Sequence, residues 1–351
     1  MRDIPRICGF GYGASVLASL LLFCIVSGCW SSPVGQEEVV VYAALDAEFS
    51  EPILQAFEEE TGIKVRLKTD VESTKTVGLV NLIIHEQNRP RCDLFWNNEV
   101  LHTLRLEKQG LLRPYVSPQA AAFPENYRSA DGTWHGLAAR ARVLLVNTDI
   151  VAEHEMPNSI HDLADPRWKG KVGIAKPAFG TTATHAAVLF ATWGDEQAKQ
   201  FLTAVKGNAQ VLGGNKQVAQ SVAAGQLAFG ITDTDDAMIE VEHGFPVRII
   251  FPDQGEGQLG TLMIPNSLGM IRGGKNPGAA EKLVDYLLRP KVEAALAEGP
   301  SAQFPVNPAV QIRSRAMPTE ALRWMDVDFD AAVDKWDVAI EFVQQTFAVA
   351  E

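Results

Sequence analysis

Continuous apolar runs mark the first strands that the sequence predicts. The segments 39–45 (VVVYAAL) and 92–96 (CDLFW) are almost wholly apolar, which is typical of strands buried in a parallel sheet. Ile63, Val65 and Leu67 alternate with polar residues, and this period of two also predicts a strand. The amino-terminal part of the chain is therefore expected to place three strands in one sheet.

Segments with the spacing of amphipathic helices follow each of these strands. The first helix is expected after Ser50, a residue type favoured at N-caps, and Gly62 lies just beyond its end. The second is expected to begin at Ser73 or Thr74, and the third to end before Gly110. A strand followed by a helix, repeated along the chain, predicts a parallel sheet with helices on both faces.

The second half of the chain repeats this alternation, with strands expected at 141–148 and 171–175. The predicted fold is therefore α/β with two lobes joined by crossover strands, each lobe a mostly parallel sheet flanked by helices. Lobe 1 is expected at 39–140 and lobe 2 at 141–257. The remainder, 258–351, is expected to return and to pack its helices mainly on lobe 1.

The amino terminus has the pattern of an export signal. Arg2 and Arg6 precede an apolar run shorter than the roughly 20 residues that span a bilayer. The run ends in a small residue, a glycine and Cys29, which resembles a bacterial lipobox. Residues 1–28 are expected to be removed and Cys29 to carry lipid, followed by a polar tether at 29–38. An ordinary signal cut nearby, or a single retained anchor, is the alternative interpretation.

Charge and cysteine content narrow the class of protein. The 351 residues include 43 acidic and 31 basic side chains, for a formal charge of −12, and there is no basic run, so nucleic acid is a poor candidate partner. Cys8 and Cys24 would leave with the signal, and Cys29 would be lipidated. Cys92 is then the one remaining thiol, so no disulfide is expected and Cys92 is expected in the core.

Three carboxylates follow the apolar segment LAFGI. Asp233, Asp235 and Asp236 fall within four positions, where like charges repel unless a positive group lies among them. Helix capping by Thr234 or Asp235 explains one acid, because acids are favourable near a helix start. Three acids are less easily explained, so Asp235 or Asp236 is expected to contact a ligand, with a metal ion bound by both as one hypothesis.

Polar residues also follow two of the predicted strands. Asp46 ends the first strand, and Asn97 and Asn98 end the third. Open α/β sheets bind ligands at the carboxyl ends of their strands. These three side chains are therefore candidates for ligand contact.

A predicted helix start offers donors for an anion. Gly180, Thr181 and Thr182 begin a helical segment, and the free N–H groups and dipole of a helix start attract negative charge. Plain capping is the simpler interpretation of this motif alone. Arg140 and Arg142 add guanidinium groups that suit phosphate or carboxylate, which favours the functional interpretation.

Enzyme signatures are absent from the sequence. It has no G-x-S-x-G, Walker loop, H-E-x-x-H or C-x-x-C motif, and its seven histidines are scattered. The chain is therefore not expected to be an enzyme.

Six segments of the sequence carry a resemblance to a known family. They are VVVYAALDAEFSEPILQAFEEETGIKV, CDLFWNNEVLHTLRLEKQGLL, LAARARVLLVNT, DLADPRWKGKVGIAKPAFGTTATHAA, NKQVAQSVAAGQLAFGITDTDDA and GPSAQFPVNPAV. Together with the lipidation motif and the two α/β lobes, they resemble the substrate-binding proteins of ABC importers. The closest resemblance is to the ferric-iron-binding group and its relatives for small anions, phosphonates and thiamine. It implies a two-lobed clamp of the type II periplasmic-binding-protein class that closes on its cargo.

The sequence departs from this group where the cargo would be held. In the iron-binding members an adjacent tyrosine pair binds Fe³⁺, and by offset that pair falls on Asp235 and Asp236. A glutamate ligand of those members falls on or beside Asn98. The arginine near the crossover strand and the helix start that holds an anion are both retained.

The functional hypothesis is an exported, lipid-anchored binding component that hands cargo to an ABC permease with its ATPase. Its cargo is expected to be ferric iron, or a related small ligand, held with an anion. One alternative is a small zwitterion or anion such as 2-aminoethylphosphonate. A second alternative is a cell-surface enzyme or sensor on the same fold.

Overall fold

The computed structural model describes residues 36–70 and 76–347. The predicted signal, Cys29 and most of the tether lie outside these ranges, as do Ser73 and Thr74, the expected caps of the second helix. Across the two described ranges, every helix is too short or too polar to cross a membrane.

The strands of the described residues form one path of hydrogen-bonded neighbours. They are β1 (Glu38–Ala43), β2 (Lys64–Thr69), β3 (Leu94–Asn97), β4 (His135–Asn147), β5 (Val172–Ala175), β6 (Gln210–Leu212), β7 (Phe229–Asp233), β8 (Val247–Ile250) and β9 (Met263–Met270). The order is β2-β1-β3-β9-β4-β7-β5-β6, with β8 also paired to β4. The short β6 was not expected from the sequence.

The long strand β4 connects two regions of this sheet. Its first part, up to Ala141, pairs antiparallel with β9, which in turn pairs with β3 of the parallel set β2-β1-β3. From Arg142 onward it pairs with β7 and β8, and β7 pairs with the parallel strands β5 and β6. β4 begins at His135, six residues before the expected start at 141, so both arginines of the AARAR segment lie within it.

Helices cover both regions. They are α1 (Ala47–Thr61), α2 (Val77–His85), α3 (Leu101–Lys108), α4 (Gly180–Trp193), α5 (Asp195–Asn208), α6 (Asn215–Ala223), α7 (Thr234–Glu242), α8 (Pro277–Leu287), α9 (Pro290–Glu298), α10 (Phe329–Asp334) and α11 (Trp336–Thr346). The break expected at Pro290 separates α8 from α9. The predicted α/β class is confirmed. The strand pairs that involve β4 or β9 are antiparallel, and the other pairs are parallel.

The start of α1 differs from the expectation. The helix begins at Ala47 with Asp46 at the N-cap position, and Ser50 lies inside the first turn, where its hydroxyl donates to the Asp46 carbonyl at 3.1 Å. A serine that bonds to a carbonyl four residues earlier is compatible with a helix interior. Gly62 ends the helix as expected, in the left-handed conformation with φ of 72°.

The carboxyl-terminal helices divide between the two regions. α8 contacts β1 and β9, and α9 contacts β4. α10 instead contacts α3 and α4, and α11 contacts α4 and α5. α10 therefore lies between α3 and α4, and α11 lies against α4 and α5.

Buried side chains fill the space between the sheet and its helices. One cluster surrounds β1, α1, α8 and α9, and a larger one extends from α2 and α3 through α4 to α11. Cys92 is 1% exposed and belongs to the larger cluster, as expected. Burial raises the pKa of its thiol well above the ordinary value, which agrees with a structural role.

Candidate functional site

Strand register brings the first arginine and aspartate of the site together. Arg142 of β4 lies directly opposite Asp233, the last residue of β7. Its Nη1 donates to Asp233 Oδ1 at 2.6 Å, and the side chains are 1% and 2% exposed. Cross-strand neighbours point to the same face of a sheet, so this pair follows from the register itself.

Polar side chains at two helix starts complete the surroundings of this pair. Thr181 of α4 donates to Asp233 Oδ2 at 2.6 Å, and Asn215 of α6 donates to the same oxygen at 3.0 Å. Arg142 Nη2 donates to Thr182 Oγ1 at 3.2 Å, and its Nη1 also donates to Asn215 Oδ1 at 3.0 Å. The four residues that surround Asp233 here, Arg142, Thr181, Thr182 and Asn215, are called the Arg142 subsite.

Arg140 lies two residues earlier on the same face of β4. Its Nη1 donates to Asp235 Oδ2 at 2.9 Å, and the same nitrogen is 3.5 Å from Asp233 Oδ2. Its Nη2 donates to the backbone carbonyl of Asn98 at 2.6 Å. The positive partners of Asp233 and Asp235 are therefore the two arginines of β4.

The two buried aspartates respond differently to this environment. Burial acts to raise the pKa of Asp233, but the charges of Arg142 and Arg140 and the bond from Thr181 hold it below the ordinary value. Burial raises the pKa of Asp235, and Arg140 offsets this only in part because Asp233 and Asp46 add negative charge. Burial acts to lower the pKa of Arg140, yet Asp235 and Asp233 raise it above its ordinary value.

The third aspartate opens toward a cavity. Asp236 lies in the first turn of α7, and one oxygen each from Asp233, Asp235 and Asp236 can be chosen so that all lie within 4.8 Å of one another. A cavity of about 320 Å³ lies beside Asp236 and is lined also by Glu48, Lys216, Gln220, Ile239, Glu240, Glu242, His243 and Pro300. Residues of α1, α6 and α7 thus meet at one edge of the sheet.

The asparagines after β3 are buried but have different partners. The Asn98 side-chain oxygen accepts from Thr76 Oγ1 at 2.7 Å, while its carbonyl accepts from Arg140. Asn97 instead donates to Glu99 Oε1 at 2.7 Å and to Thr103 Oγ1 at 3.3 Å. Of this pair, only Asn98 contacts the arginine–aspartate group.

Asp46 and Gly180 were also predicted as site residues, and they influence the site through charge and backbone conformation. Asp46 is the N-cap residue of α1, and its charge acts on both Arg140 and Asp235. Gly180 begins α4 with φ of 52°, a conformation that favours glycine, and it lets the chain turn into the helix that carries Thr181.

Two buried or half-buried polar residues in or beside the site were not predicted from the sequence. Asn215 begins α6 directly after two glycines, much as Thr181 follows Gly180, and this repeated pattern could have identified it. Glu99 is wholly buried and accepts from Leu101 N at 2.6 Å and from Thr184 of α4 at 2.8 Å. The position of Glu99 directly after Asn98 in the sequence could have identified it. Burial raises its pKa above the ordinary value.

The chain is similar in sequence and in structure to several known proteins. Iron uptake protein A1 of Synechocystis sp. is 27% identical over 311 residues, covering 82% of this chain and 83% of the relative. The apo ferric ion-binding protein A of Pasteurella haemolytica matches with a TM-score of 0.79 at 22% identity, covering 90% of this chain and all of the other. AfuA of Actinobacillus pleuropneumoniae, with exogenous fructose-6-phosphate bound, matches at 0.78 and 21% identity, covering 90% and 99%.

These structures confirm the fold class as the two-lobed clamp of periplasmic binding proteins. The sequence also matches the model of one family, described as bacterial extracellular solute-binding protein, over residues 93–331. Members of this family bind solutes and are not enzymes. That match extends over more than half of the chain and includes nearly every residue of the site, so the chain belongs to the bacterial extracellular solute-binding proteins.

Proposed function

We propose that this chain is the substrate-binding component of an ABC importer and that its cargo is a hard metal cation of the iron(III) type. The observation that carries the proposal is the meeting of Asp233, Asp235 and Asp236, with oxygen atoms within 4.8 Å of one another. Carboxylate oxygens are the ligands that hard cations prefer. The relatives named for iron uptake and ferric ion binding support the same cargo class.

The charge of the site also favours a cation. Arg140 contacts Asp233 and Asp235, and Arg142 contacts Asp233. Burial raises the pKa of Asp235, and the charges of Asp233 and Asp46 add to this rise. A positively charged cargo at Asp235 would stabilise its ionised form as the cleft closes.

Delivery requires partners and a location outside the cytoplasm. The export signal and the lipobox at Cys29 support a membrane-anchored protein that faces the periplasm or the cell exterior. Membership of the extracellular solute-binding family supports docking of the loaded form on a permease that is driven by an ATPase.

Iron titration of chelator-stripped protein in a competing-chelator buffer tests the cargo. We expect about one ferric ion per chain, and we expect Asp236→Asn to weaken binding by at least about tenfold. Asp149→Asn, at an exposed position after β4, is the matched control and should bind as the wild type does. A stripped wild-type protein that does not compete with the chelator for ferric iron would refute the proposal.

A small zwitterion such as 2-aminoethylphosphonate is the second candidate, and two observations favour it. The cavity of about 320 Å³ beside Asp236 is far larger than a bare ion. Within the described residues, the Nε atom of Arg140 is buried without a hydrogen-bond partner, so it could still donate to a phosphonate. Calorimetric titration of metal-free protein separates the candidates, since only the zwitterion would bind tightly without metal.

A further inference from the structure

Two of the donors expected to hold an anion, Arg142 Nη1 and the Thr181 hydroxyl, are engaged by Asp233 of this chain. Asp233 Oδ1 accepts from Arg142, and its Oδ2 accepts from Thr181 and Asn215 at 2.6 and 3.0 Å. The second terminal nitrogen of Arg142, Nη2, donates to Thr182 Oγ1 at 3.2 Å. A carboxylate group therefore already lies where phosphate or carbonate would have to bind.

The position of this carboxylate is fixed by the fold. Asp233 is the final residue of β7, and its backbone pairs with Arg142 in the middle of the sheet. Thr181, Thr182, Arg142 and Asp233 are all at least 95% buried, with exposures of 2%, 4%, 1% and 2%. A side chain held by strand register and by two helix starts has little freedom to swing away.

We propose that Asp233 is the resident anion of the cleft: it fills the Arg142 subsite, so that cargo binds without an external anion there. The effect on cargo rests on the proposed function, whereas the occupancy of the subsite by Asp233 does not. The ligand class that follows is a cation, or a molecule that presents a positive group to Asp235 and Asp236.

An external anion is excluded by the cost of replacing Asp233. To reach Arg142 it would have to displace a buried, hydrogen-bonded carboxylate, which would then remain close by without its shortest contact to a positive group. The two anions would also repel each other in a site where water screens charge poorly. The same arrangement therefore selects against phosphate, carboxylate and sugar-phosphate groups at this subsite.

Chemical rescue tests the resident anion directly. Asp233→Ala removes a carboxylate and leaves space for one formate ion, so we expect a lowered melting temperature that rises saturably with millimolar formate. Chloride at equal ionic strength is the control for salt effects, and it should not reproduce the rise. Asp233→Asn is the matched variant, because its amide fills the space and should leave the melting temperature insensitive to formate.

The wild-type protein supplies a second test that does not depend on folding of the variant. Its melting temperature should not respond to formate or phosphate beyond the response to chloride. Its iron affinity should agree within about twofold between anion-free buffer and buffer with carbonate or phosphate. A folded Asp233→Ala protein without a formate response, or an iron affinity that rises about tenfold with anion, would overturn the inference.

The outcomes separate this inference from the cargo proposal. Suppose that formate rescues Asp233→Ala and that the wild-type protein takes up no iron. Asp233 is then still the resident anion, and the iron cargo is refuted. Iron binding that requires carbonate or phosphate supports the cargo and refutes the resident anion.

Discussion

Arg142 and Asp233 lie opposite each other on β4 and β7, and their charged groups are 2.6 Å apart. Neither side chain is more than 2% exposed. Two charges that have been removed from water to this extent depend on each other. Loss of Arg142 would leave Asp233 with only the longer contact to Arg140, and loss of Asp233 would remove the carboxylate that Arg142 contacts.

Replacement of Arg142 alone should therefore be strongly destabilising. Arg142→Met is expected to lower the free energy of unfolding by about 3–5 kcal/mol, because Asp233 would keep its burial and lose its main partner. Urea denaturation measures the change. Arg167→Met is the control, since the Arg167–Asp165 pair is on the surface and its loss should have little effect. Equal losses in the two variants would contradict the prediction.

A combined replacement should recover much of that loss. Arg142→Met with Asp233→Leu removes both buried charges, and apolar side chains of similar size often replace a buried ion pair without a net loss of stability. The double variant should therefore unfold at a higher urea concentration than Arg142→Met. If it is less stable than the single variant, the hydrogen bonds of Thr181 and Asn215 contribute more than the charge balance does.

Stability should fall as the pH falls below about 6.5. Burial, with the charge of Arg105, lowers the pKa of His102 to about 3, so the folded state does not take up the proton that the unfolded chain binds. The contribution of His102 therefore lowers the free energy of unfolding by about 1.4 kcal/mol for each unit by which the pH falls, until the pH approaches 3.

Urea denaturation at a series of pH values checks this slope. His185 has its pKa lowered to about 3 by burial and by Arg142, and it should add a similar loss. His102→Gln should retain more of its stability at pH 5 relative to pH 7 than the wild type does. An unchanged pH slope in that variant would show that His102 does not carry the effect.

The bond between Thr184 and Glu99 should be worth about 1–2 kcal/mol. Thr184→Val keeps the shape of the side chain but removes the hydroxyl that donates to the buried carboxylate at 2.8 Å. Thr203→Val is the matched control, because its hydroxyl bonds to the Lys199 carbonyl on an exposed helix surface. The midpoints of urea denaturation should differ clearly between these variants, and equal midpoints would argue against the bond.

Cys29→Ser should block lipid attachment. The motif of a small residue, glycine and cysteine at the end of the export signal predicts that Cys29 becomes the lipidated first residue. Mass spectrometry of protein from the membrane fraction should show a diacyl or triacyl mass on Cys29, and the Ser variant should accumulate as an unprocessed or misplaced precursor. An unlipidated mature chain that starts elsewhere would contradict the prediction.

Local pattern was enough to predict most elements of the fold. The runs at 39–45 and 92–96 became β1 and β3, and Gly62 ends α1. The short β6 was missed because a three-residue strand has no period to detect. The start of β4 was placed too late, since its first residues, HGLAAR, include small and polar side chains that do not read as a buried run.

The members of the site could largely be predicted, but their mutual contacts could not. Arg140, Arg142, Asp233 and Asp235 were all chosen from the sequence. Their pairing depends on the register of β4 with β7, which joins residues 91 positions apart and leaves no local trace. For this reason the sequence predicted an external anion as the partner of the arginines. It predicted a separate ligand as the partner of Asp235 or Asp236.

The passage of β4 between the two sheet regions has a mechanical consequence. Arg140 belongs to the part paired with β9 and Arg142 to the part paired with β7, whereas Asp233 and Asp235 both belong to the β7 side. Twisting one region against the other therefore stretches the contact of Arg140 with Asp235 and spares that of Arg142 with Asp233. A change in the angle between the two regions would therefore change the distance between Arg140 and Asp235, and with it the electrostatic energy of the cleft.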